Sequence, residues 1–136
     1  MNALFALLAQ AAAIAAPAPA PVRPPEVTPT IPSDWRALAP LPWRAEPHLT
    51  PDITRFVADE VKARRCATAA ARSELAVDLV VMVRADGAVR SVVPRAIDCP
   101  TVEQFAAGLV TSLARNNVRL PAEGWYRTTV TFALAR

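Results

Sequence analysis

Hydrophobic and polar residues alternate along two stretches in the second half of this 136-residue chain and recur at helical spacing along two others. Leu75, Val77, Leu79, Val81 and Val83 take every second position, the period of a strand with one buried face. Ala76, Val80 and Met82 make the other face apolar as well, interrupted only by Asp78, so the strand from Leu75 to Arg84 belongs in the middle of a sheet. Asp86-Gly87 is the dipeptide of a two-residue hairpin turn, in which both central positions take positive φ. The chain returns from Ala88 to Val93, where Arg90 and Ser91 mark an edge strand and Pro94 ends it by removing a ladder donor. Near the end, Tyr126, Thr128, Val130, Phe132 and Leu134 alternate with Arg127, Thr129 and Thr131, which predicts a third strand.

The helical stretches frame these strands. Thr50-Pro51-Asp52 places an N-cap, a first-turn proline and an acid at a helix start, and Ile53, Phe56, Val57 and Val61 form one apolar stripe behind them. This helix is expected to end around Cys66, with the alanines from Ala67 to Ala71 offering an extension. Thr101-Val102-Glu103-Gln104 reads as a capping box, Thr101 the cap and Gln104 reaching back. Val102, Phe105, Ala106, Leu109, Val110 and Leu113 then give a second apolar stripe, and Asn116-Asn117 a left-handed stop. The order is α-β-β-α-β. The intervening helix sends the third strand back antiparallel to the first, so the expected fold is α+β. It is a three-stranded antiparallel sheet in the order second, first, third, with two helices packed on one face.

Composition divides the chain before Thr50. Eleven of the fourteen prolines lie between Pro17 and Pro51, and such a stretch forms neither helices nor central strands. Residues 16–49 therefore read as a proline-rich tether and residues 50–136 as one small domain. Residues 1–15 read as a signal peptide or short anchor. Ala3 to Ala16 is apolar except for Gln10, and Ala13-Ile14-Ala15 offers the small residues that a signal peptidase reads, although Met1-Asn2 carries no Lys or Arg. The run falls short of the roughly 20 residues that span a bilayer. Export would place the two cysteines, Cys66 and Cys99, in an oxidising compartment, where an even count in a small domain favours a disulfide; two buried thiols are the alternative.

The formal net charge of +3 comes almost wholly from arginine, and the arginines are spread over every element, as on an ordinary solvated surface. Chemistry is sparse. His48 is the sole histidine and lies in the proline-rich stretch, the acids each have a local role in a turn or cap, and the three glycines stand apart. No nucleophile set, metal set or phosphate loop can be assembled, so neither an enzyme nor a cofactor is expected. Nucleic acid is disfavoured too, because the first two strands lack the aromatics on which bases stack.

One resemblance draws these elements together. The Val-rich first strand, the hairpin Asp86-Gly87-Ala88-Val89 and the terminal run Thr129-Val130-Thr131-Phe132-Ala133-Leu134 resemble the C-terminal domain of TonB-like energy transducers, from Ile53 to Arg136. That resemblance implies a periplasmic interaction domain whose last strand receives an extended segment of a protein partner, of the outer-membrane transporter type. The strand would be Tyr126, Arg127, Thr128, Thr129, Val130, Thr131 and Phe132, pairing by strand addition, with energy-coupled transport as the process served. It implies a location in the periplasm, or in the inner membrane facing it if the leader is retained, with membrane contact only through that N-terminal segment. The short leader and the nearly uncharged proline stretch depart from the family. The alternatives are a non-catalytic structural envelope protein, a homodimer formed through the same edge, or a strand that is simply core, its edge blunted by Arg127 and a covering loop.

Overall fold

Thr50 caps helix α1 (Pro51–Arg64) by accepting a hydrogen bond from the Ile53 N–H, with Pro51 in the first turn and Asp52 beside the positive helix end. The structure, a computed structural model, describes residues 11–22, 29–66, 73–119 and 122–134. At the far end of α1, Arg65 turns left-handed (φ 50°) and the Cys66 N–H bonds back to the Val61 carbonyl at 3.2 Å. This closes the helix in the manner usually left to glycine. The alanine run after it, proposed as an extension, lies outside the described residues.

The sheet consists of β1 (Glu74–Val83), β2 (Val89–Pro94) and β3 (Gly124–Ala133), antiparallel throughout and ordered β2-β1-β3. Helix α2 (Pro100–Leu113) connects β2 to β3. The α+β fold expected from the hydrophobic pattern is therefore the observed one. Leu75, Val77, Leu79, Val81 and Val83 face the helices and share a core with Val57 and Val61 of α1, Val102, Ala106 and Val110 of α2, and Val130 and Phe132 of β3. Phe105 stacks between Phe56 and Phe132, with ring centroids 4.7 and 6.3 Å away.

Two local readings change. The hairpin turn is a three-residue loop, Ala85-Asp86-Gly87, rather than a two-residue one. The Gly87 N–H reaches the Arg84 carbonyl, the Arg84 N–H reaches that of Ala88, and only Gly87 takes positive φ (85°). Asp86 acts through its side chain, accepting from the Ala88 N–H at 2.9 Å. Helix α2 starts earlier than the capping box predicts, because Pro100 fills its first position and Cys99 becomes the N-cap. Glu103, not Gln104, reaches back, its Oε2 accepting from the N–H groups of both Ile97 and Cys99 at 3.1 Å.

The larger correction concerns the proline-rich stretch. The chain divides between Thr30 and Ile31, not at residue 50. In the unit before the division, residues 11–22 are exposed and carry neither helix nor strand. Residues 31–49 belong to the sheet-bearing unit, since Leu41 is buried in its core and Trp43 and Leu49 pack against it. Proline removes backbone donors but leaves the apolar side chains between prolines free to pack, and here they do. The leader expected over residues 1–15 lies mostly outside the described residues. Among those described, no helix is long and apolar enough to cross a membrane.

Candidate functional site

The two cysteines meet at disulfide distance, with Cα atoms 5.4 Å apart and both residues buried. They join the end of α1 to the start of α2, the pairing that an oxidising compartment favours. Both cysteines lie in the core shared by the two helices and the sheet, of which β3 is an edge strand.

Along β3 the backbone alternates direction. Arg127 turns its N–H and C=O away from β1, donating to the Ala39 carbonyl at 3.0 Å and accepting from the Leu41 N–H at 2.8 Å. By the antiparallel period, Thr129, Thr131 and Ala133 point the same way, while Tyr126, Thr128, Val130 and Phe132 pair with β1. The seven residues expected to form one binding strand thus separate into two sets. Val130 and Phe132 are core, and the Tyr126 hydroxyl donates to the Ala122 carbonyl. Only the odd-numbered positions offer backbone to a partner.

Arg127 is already taken. Residues 38–41 run parallel to β3 as a strap, bridged at Pro40, and the Arg127 Nε also donates to the Leu38 carbonyl at 2.9 Å. Downstream, the strap is fastened to the loop after α2: the Arg44 N–H donates to the Asn117 carbonyl at 2.7 Å, and the Arg119 N–H to that of Pro42 at 2.9 Å. The Asn117 side chain completes the fastening by bonding both the N–H and the C=O of Ala45. A covering segment and Arg127 do close part of this edge, the part nearest the start of β3. Beyond it, among the described residues, no backbone hydrogen bond from outside the sheet reaches Thr129 or Thr131.

Each side of this open stretch is lined differently. Toward the helices lies a groove of about 420 Å³ with Leu41, Trp43, Leu49, Val110 and Leu113 in its walls, together with Glu46, Arg127 and the threonines of β3. On the opposite face, a cleft of about 350 Å³ is lined by Trp35, Arg36, Arg95 and Arg127 together with Asp78 and Thr129. The Arg95 guanidinium stacks over the Trp35 ring at 4.7 Å, and the Thr129 hydroxyl donates to Asp78 at 2.7 Å. A short 3-10 turn, Trp35–Ala37, presents Trp35 and Arg36 there, capped by Asp34. Sequence reasoning allowed for a covering loop at Arg127 but did not find it in residues 38–41, and it missed this cleft. The signal available was two tryptophans, Trp35 and Trp43, standing among the prolines of a supposed solvated tether.

No family model, no curated protein and no solved structure matches this chain.

Proposed function

We propose that the domain is a protein-interaction module, TonB-like in plan and not an enzyme, that binds an extended partner segment by strand addition at Thr129 and Thr131. One observation carries the reading. The edge of β3 already accepts a parallel backbone bridge from Ala39–Leu41 of its own chain, and the adjoining residues present the same outward backbone beside a groove walled in part by Leu41, Trp43 and Leu49. Main-chain hydrogen bonds then supply affinity, and the groove supplies pockets for alternate side chains. The paired cysteines support a site of action outside the reducing cytosol, such as the periplasm, with an outer-membrane transporter as the kind of partner.

The test is proline at Thr131. It deletes one outward donor without touching a bond to β1, so capture of partners by a photo-crosslinking residue at Ala133 is expected to fall while the melting transition stays close to wild type. Undiminished capture by a folded Thr131→Pro protein overturns strand addition at this edge. A concentration-dependent dimer that the same substitution dissolves would mark the edge as a self-association surface instead.

A further inference from the structure

We infer that the partner segment alternates acidic and apolar side chains, the acids directed into the arginine-lined cleft and the apolar residues into the groove on the helix side. This rests on strand addition at Thr129 and Thr131 and names the chemistry of what is added. A strand laid on an edge sends successive side chains to opposite faces of the sheet. One face here offers Leu41, Trp43, Leu49 and Leu113 with one acid, Glu46, and shares Arg127 with the other face, so the two ions leave it without a net cationic surplus. The other offers Arg36, Arg95 and Arg127 against the single carboxylate of Asp78, which is engaged by the Thr129 hydroxyl. Among the described residues, none of these three guanidiniums forms an ion pair with a carboxylate.

The geometry sets register as well as preference. A residue of the added strand lying opposite Thr129 shares its face and enters the cleft; its two neighbours enter the groove. A slip by one residue would put carboxylates beside Glu46 and apolar side chains among the arginines. The mismatch opposes that slip on both faces at once, because register is held most firmly where the two faces differ.

The experiment uses the full chain and three labelled peptides, read by fluorescence anisotropy: Gly-Val-Glu-Val-Glu-Val-Gly and its counterparts with Thr or Lys in place of Glu. The expected order is Glu tightest, then Thr, then Lys, with roughly three- to tenfold between Glu and Thr at low salt and less as ionic strength rises. Arg36→Gln combined with Arg95→Gln is expected to bring the Glu-to-Thr ratio close to one. Equal binding of all three peptides, lost in Thr131→Pro, would overturn the acidic preference and leave strand addition standing. Absence of binding by every peptide would overturn both. A Glu preference that survives the double Arg variant would also refute the inference, since the cleft would not be its source.

Discussion

The two edges of the sheet are protected to very different degrees. β2 is six residues long, its pairing with β1 slips between Met82 and Val83 so that Arg90 is an extra residue, and Pro94 removes a donor from its outer side. Each of these is a recognised way to discourage edge-to-edge pairing. β3 is ten residues long and pairs with β1 in unbroken register along its whole length. Among the described residues, backbone hydrogen bonds cover it only where the strap crosses Arg127. A short bulged strand closes itself. A long regular one is left open unless something is laid along it, and here the covering stops short. The difference leaves β3, among the described residues, as the edge with open backbone, which is why the proposed pairing is placed there.

Breaking the strand between the two edges has the largest expected effect. Val81 has no exposed surface, and Val81→Asp would bury an unpaired charge costing several kcal/mol, comparable with the whole stability of a small domain. Circular dichroism is expected to show an unfolded protein. Leu109, half-buried on α2, is expected to tolerate the same change better, against a reading of the hydrophobic stripe that would rank it with Val81. Next comes reduction of the Cys66–Cys99 bridge, which closes a 33-residue separation and is worth about 3–4 kcal/mol in the chain-entropy model. A urea midpoint unchanged by reductant would show that the bridge is absent in solution.

Leu41→Ala sharpens the comparison at β3. It removes a nearly buried anchor, costs about 2–4 kcal/mol, and is expected to loosen the strap, so that the Arg127 amide exchanges hydrogen as fast as those of Thr129 and Thr131. In the parent protein Arg127 is expected to exchange most slowly of the three. The smallest stability effects belong to paired proline substitutions, Thr131→Pro on one edge and Val92→Pro on the other, each about 1 kcal/mol. Only the first is expected to weaken partner capture. Equal losses from both would remove the functional distinction between the edges.

Much of this was legible in the hydrophobic pattern. The alternation of Leu75 to Val83 and the stripes led by Ile53 and Val102 are dictated by burial on one face, so element types, sheet order and helix placement followed. The cysteine pair followed from the exported reading. Legibility failed where neighbours arbitrate. Pro100 at the first helical position moved the α2 cap from Thr101 to Cys99, and the loop could close with Gly87 alone in the left-handed region. The proline-rich approach misled most, because proline content describes backbone stiffness while Trp35, Leu41 and Trp43 decide whether the segment docks. Within the site, Thr129 and Thr131 were among the expected residues. Which parity of β3 faced outward depended on the pairing with β1, and the cleft depended on Trp35, Arg36 and Arg95 converging from distant positions.

Pro40 sits where the strap bridges β3, bonded there through its neighbours, so its own nitrogen faces away from the sheet. With no hydrogen on that nitrogen, the strap presents an interrupted outer side and cannot serve as the template for yet another strand. What remains is a finite berth from Thr129 to Ala133, five residues or roughly 17 Å at strand rise. A segment paired there as we propose would have to be short, because the strap bounds the berth at one end and the end of β3 bounds it at the other.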